Sequence, residues 1–142
     1  MRVFPFIPIP ASAGISGFES PAAEYSQLGL SLDELLILHP SSTFIGVAQG
    51  DSMQGAGIFD GDLLIVDRHI TAQQGAVIVA NFNGEFVCKI LDKHRKLLLS
   101  SNDKHQAVKI HDYDEFCIEG VVIRSVRLHH HCSLLAGNAC LP

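Results

Sequence analysis

From Thr43 onward, apolar residues arrive in short runs broken by glycine, asparagine and aspartate, the rhythm of strands joined by turns. The runs predict strands over 43–49, 63–66, 76–82, 85–91, 96–100, 108–110 and 116–128. Asn83-Gly84 separates the third and fourth, and both residue types accept positive φ, so this pair predicts a hairpin. Asp60-Gly61-Asp62 reads as a turn, and the stretch from Gly50 to Gly57 is too rich in glycine to continue the first strand. Before the strands, Ser31 and Glu34 have capping-box spacing, with Leu35, Leu36 and Leu38 following and Pro40 as a stop. A short helix over 32–38 is expected, able to lay leucines on a sheet. Residues 1–30 carry Pro5, Pro8, Pro10, Gly14, Gly17, Pro21 and Gly29, and read as an extended arm open to proteolysis. The 129–142 tail has no periodicity and is expected to be poorly ordered. The pattern thus predicts a mainly β domain over 31–128, with an arm before it and a tail after it.

Composition narrows the class. The 142 residues fit one domain, and 47 % hydrophobic content supplies a core without covalent staples. No apolar run is long enough to span a bilayer. A formal charge of −5 without a basic block argues against stable direct binding to a phosphate backbone and favours protein partners. Cys88, Cys117, Cys132 and Cys140 form no CxxC pair and read as reduced cytoplasmic thiols, a bridge between the two tail cysteines being the alternative. Ala11-Ser12-Ala13 has the form of an export cleavage signal, but three prolines interrupt the apolar stretch before it, so an arm is expected there rather than a targeting sequence. His129, His130, His131 and Cys132 are consecutive and converge poorly on a tetrahedral metal; no HExxH, P-loop or dinucleotide motif occurs. Neither metal nor organic cofactor is expected.

Two residues carry candidate chemistry. Ser52 follows a strand in a loop flanked by Gly50 and Gly55, where a substrate backbone can approach closely. A serine hydroxyl is a weak nucleophile until a base takes its proton, and on its own Ser52 also reads as a turn serine. Lys89 lies within Phe86-Val87-Cys88-Lys89-Ile90. An ammonium among apolar residues is disfavoured, so its pKa falls and neutral amine becomes available. Taken alone, Lys89 also reads as an edge or snorkelling lysine.

An ordered series of short motifs adds to this. It runs from Gly17-Phe18-Glu19-Ser20-Pro21-Ala22-Ala23-Glu24-Tyr25 through His39-Pro40-Ser41-Ser42-Thr43-Phe44 to Gly50-Asp51-Ser52-Met53. Asp60-Gly61-Asp62-Leu63-Leu64-Ile65-Val66-Asp67, Gly84-Glu85-Phe86-Val87-Cys88-Lys89 and Gly120-Val121-Val122 follow. Over about residues 16–128 the chain resembles the UmuD/LexA family of self-cleaving serine peptidases, and its UmuD-like branch most of all. The resemblance implies the family's compact β fold, a homodimer, and a dyad of Ser52 and Lys89. It implies cleavage of the arm stimulated by the RecA filament on single-stranded DNA. The trimmed product then joins an error-prone, UmuC-like translesion polymerase subunit in SOS mutagenesis.

In this mechanism Lys89 accepts the Ser52 proton, and the serine attacks the carbonyl before a glycine of the arm. Backbone N–H groups near Asp51 and Ser52 stabilise the oxyanion. The ungapped match puts the cut at Ser16-Gly17, where the family often has Ala-Gly or Cys-Gly; Ala13-Gly14 is the alternative. Only 51 residues precede Ser52, which leaves no room for the helix-turn-helix domain of LexA-type repressors, so a repressor is not expected. Two rival functions stay open: a dimeric interaction module with vestigial cleavage, and a signal-peptidase-like enzyme, which the lack of a membrane anchor disfavours.

Overall fold

In a computed structural model of the chain, residues 2–8, 11 and 29–135 are described. Its contacts divide the chain into two units after Leu38. In the first unit, β1 (Phe4–Pro5) pairs antiparallel with β2 (Gly29–Leu30), a two-residue ladder that the proline-rich sequence did not suggest. The short helix α1 spans Leu32–Leu36, with the Ser31 hydroxyl accepting from the Glu34 amide at its start. It ends two residues earlier than expected because Ile37 is already extended. No helical residue is buried, and Leu32 and Leu35 are about half exposed.

The second unit is mainly β. Its strands are β3 (Thr43–Val47), β4 (Leu63–Asp67), β5 (Val77–Phe82), β6 (Glu85–Asp92), β7 (Leu97–Leu99), β8 (Val108–Lys109) and β9 (Phe116–Val126). All seven predicted strands are present, each within two residues of its expected bounds. They form one antiparallel sheet in the order β3-β4-β9-β5-β6-β7-β8. The β5–β6 hairpin turns at Asn83 and Gly84, whose φ of +52° and +87° supply the left-handed backbone a two-residue turn needs.

Alternation along the strands builds a core on each side of the sheet. Val79 joins Ala48, Met53, Ile58, Leu64 and Val66 in one cluster. Its neighbours Ile78 and Ala80 join Ala72, Leu91 and Leu98 in the other. The long β9 links the two halves of the sheet by pairing with both β4 and β5. Register shifts on each side of it, of the kind β-bulges make, let one strand serve two neighbours. Expectations for residues 12–28 and 136–142 lie outside the described residues; within the tail, Ser133–Leu135 forms a 3-10 turn.

Candidate active site

A cleft of about 610 Å³ opens beside β3. Its wall follows the chain continuously from Phe44 to Gly50, then takes in Ser52 and Met53, and is closed by Phe86, Val87, Cys88 and Lys89 of β6. β3 lies at one end of the sheet, and among the described residues it pairs only with β4. The structure thus brings Ser52 and Lys89, 37 positions apart in sequence, to the wall of one cleft.

Ser52 sits in the loop after β3, half-buried, and Met53 beside it enters the core. The Met53 side chain therefore anchors the loop from below. Above it, two carbonyls are held: Asp51 O accepts from Asn102 Nδ2 at 2.8 Å and from the Gln54 amide at 3.3 Å, and Ser52 O accepts from the Ser101 amide at 2.7 Å. A held carbonyl fixes its peptide plane. The Ser52 N–H shares a plane with the Asp51 carbonyl, so its direction is set before any substrate arrives. The Asp51 carboxylate accepts from His105 Nε2 at 2.6 Å, and that hydrogen bond holds its pKa below the usual carboxylate value.

Lys89 belongs to β6, which lies between β5 and β7; it pairs with Ile78 of β5, and the β6–β7 ladder begins one residue later at Ile90. Its side chain is half-buried, and burial pushes its pKa below the ordinary lysine value, with the adjacent Cys88 opposing weakly. The hydrogen bond it makes is to Ser100 Oγ, at 2.9 Å, rather than to Ser52. The Cys88 thiol is itself pushed up to about 11 by burial and stays neutral near pH 7.

Sequence reasoning missed the segment Ser100-Ser101-Asn102, which touches both Lys89 and the Ser52 loop. Neither a serine pair nor an asparagine after a strand marks chemistry in a bare sequence; strand register has to be known first. Arg68 was also missed. It lines the cleft, stacks its guanidinium on Phe44 at 5.1 Å and pairs with Glu119 at 3.1 Å. Both candidate scissile bonds, Ser16-Gly17 and Ala13-Gly14, lie outside the described residues. Cys88, Cys117 and Cys132 are free thiols. Among the described residues, no three His, Cys, Asp or Glu side chains gather as a metal site, and no helix is long and apolar enough to cross a membrane.

The fold and cleft define a class: a mainly β protein with a serine and a desolvated lysine facing one substrate-sized groove. The profile of the Peptidase S24-like family matches residues 5–123. Protein MucA of Salmonella typhimurium is 38 % identical over 119 residues, 82 % of this chain and 82 % of that protein. Protein ImpA of Shigella flexneri is 38 % identical over 108 residues, 75 % of this chain and 74 % of ImpA. The LexA repressor of Alcanivorax borkumensis is 37 % identical over 87 residues, which is 60 % of this chain but only 42 % of the repressor. The chain belongs to the Peptidase S24-like family, and is a serine peptidase of the self-cleaving kind.

Proposed function

We propose that Ser52 is the nucleophile and Lys89 the general base of a reaction that removes this protein's own N-terminal arm. The observation that carries the assignment is the shared cleft: a serine on a braced loop and a lysine whose burial favours the neutral amine. Neutral Lys89 takes the Ser52 proton as Oγ attacks the scissile carbonyl. The Lys89 ammonium then returns a proton to the leaving amine, the arm's C–N bond breaks, and an acyl-enzyme remains for water to hydrolyse. The Asp51 and Ser52 N–H groups receive the oxyanion. The outer edge of β3, unpaired among the described residues, suits an arm that binds as an added strand, its backbone paired and its small side chains in the cleft. The bond cut is Ser16-Gly17, with Ala13-Gly14 as the competing site.

The wider setting follows from the resemblance to the UmuD-like branch. The protein acts in the cytoplasm as a homodimer, is stimulated by the RecA filament on single-stranded DNA, and after trimming serves an error-prone UmuC-like polymerase in the SOS response. No cofactor takes part. Intact-mass measurement of the purified chain, with and without RecA filament, tests both halves. A larger fragment beginning at Gly17 is expected, and filament should accelerate its appearance. Ser52→Ala, Lys89→Ala and Lys89→Arg should stay intact, because arginine supplies no neutral base. Normal processing of Lys89→Ala sinks the dyad; a filament without effect sinks the SOS setting. Cleavage without filament should quicken as pH rises, with the limb below the ordinary lysine value of ~10.4.

A further inference from the structure

Lys89 donates to Ser100 Oγ at 2.9 Å, and the ladder explains why. β6 and β7 pair Asp92 with Leu97, Leu91 with Leu98 and Ile90 with Leu99. One more step in that register sets Ser100 opposite Lys89, and directly opposed residues share a face with Cβ atoms about 4.5–5.5 Å apart. Across the other side of β6, Lys89 faces Ile78, which is fully buried and offers an amine nothing. The residues after Ser100 hold the nucleophile loop. Ser101 gives its amide to the Ser52 carbonyl and takes the Gly55 amide, both at 2.7 Å, and Asn102 holds the Asp51 carbonyl. Three consecutive residues therefore grip the base at one end and the nucleophile loop at the other.

We propose that Ser100 is a positioning residue for self-cleavage: its hydroxyl holds one Lys89 N–H so that the amine lone pair is directed toward Ser52. The inference rests on the Ser52–Lys89 reading. A neutral amine has two N–H groups and one lone pair, and rotation about Cε–Nζ scatters the lone pair unless an N–H is held. An acceptor also favours the ammonium. Loss of the hydroxyl should therefore slow the fully deprotonated enzyme and lower the Lys89 pKa together. A packing defect would not couple those two effects. Among the described residues, the following groups bear on this titration. Cys88 neighbours it on β6, Arg68 lines the same cleft, and Asp51 of the nucleophile loop is engaged by His105. The direct strand partner on β5, Ile78, does not titrate.

The test is spontaneous self-cleavage of the full chain from neutral to alkaline pH, with urea unfolding run alongside. Ser100→Thr keeps the hydroxyl and Ser100→Val removes it at nearly equal volume; Ser100→Ala is the smaller second variant. The alkaline plateau of Ser100→Val and Ser100→Ala should fall about tenfold or more, with the apparent pKa shifted down, while Ser100→Thr restores both. A wild-type plateau and pKa in both hydroxyl-free variants, with Lys89→Ala inactive, overturns the role of Ser100 and leaves the dyad standing. Slowing without a pKa shift, or slowing that threonine fails to rescue, overturns it as well. Cleavage by Lys89→Ala removes the dyad reading itself, a distinct result.

Discussion

Gly55→Ala is the sharpest probe of the brace behind the nucleophile. A Cβ on Gly55 would lie 2.6 Å from the Ser101 carbonyl oxygen, with the Ser101 hydroxyl closer still. Carbon and oxygen do not settle below 3.0 Å, so the two segments must part by about 0.4 Å. The side-chain hydroxyl can rotate away; the carbonyl cannot, because it already accepts from the Gly55 amide at 2.7 Å. Overpacking of this kind costs about 1–3 kcal/mol. The parting also reaches the chemistry, since the same Ser101 amide holds the Ser52 carbonyl. A misplacement of 1 Å can cost on the order of 10²-fold in rate, so about 0.4 Å should slow cleavage several-fold to about tenfold. Spontaneous cleavage at alkaline pH, followed by intact mass and paired with urea unfolding, reads both effects. Stability lost with the rate intact would show that the brace does not serve catalysis. Wild-type values for both would refute the contact itself.

Three further outcomes follow from particular burials. Leu98→Ala, at a side chain only 2 % exposed, should lower stability by about 2–5 kcal/mol with an unchanged urea m-value, and a loss under about 1 kcal/mol would contradict the packing. Asp92 is held at about 2 by the Arg95 amide and guanidinium. Its folded pKa is depressed, so its contribution is complete above the unfolded value of ~3.9 and lost as pH falls through about 2. Asp92→Asn should therefore be less stable than wild type at pH 7 and converge with it near pH 2; a gap of constant size would refute the assignment. At pH 7–8, exposed Cys117 should be alkylated by iodoacetamide well before Cys88, whose thiol is pushed up to about 11, and peptide mapping that finds Cys88 modified first would contradict its burial.

The strands were legible because each is a local signal. Val77–Phe82 and Glu85–Asp92 flank Asn83-Gly84, a dipeptide that accepts positive φ at both positions, and Leu63–Asp67 is an apolar run bounded by an aspartate-glycine turn. The sheet order was not legible from that pattern. That β9 sits between β4 and β5 depends on bulges that no residue type announces. The end of α1 was less legible: Ile37 is already extended although leucines continue past it, so the helix stops at five residues, little more than one turn. Ser52 and Lys89 could be singled out because glycine neighbours and an apolar strand are visible in sequence. Their partners could not, since Ser100 matters only through a register that relates residues eleven positions apart.

That register also resolves a conflict in the fold. A lysine on an interior strand is a liability for folding, because burial disfavours its charge. The same burial is what a lysine base requires, since it shifts the amine toward its neutral form. A sheet that answered the liability with a carboxylate would stabilise the ammonium and defeat the base. A sheet that answered with only apolar neighbours would leave the N–H groups unpaired, at a cost of roughly 1–3 kcal/mol for a buried donor. A hydroxyl lies between these extremes: it accepts one hydrogen bond without bringing a charge. On one flank of Lys89 is the aliphatic Ile78, and on the other the neutral acceptor Ser100. The next peptide in the chain fastens the nucleophile loop through Ser52 and Gly55. The feature that makes Lys89 tolerable to the sheet therefore also ties its position to that of Ser52. For this reason, loss of the hydroxyl at position 100 should cost both rate and stability, and threonine at that position should restore both.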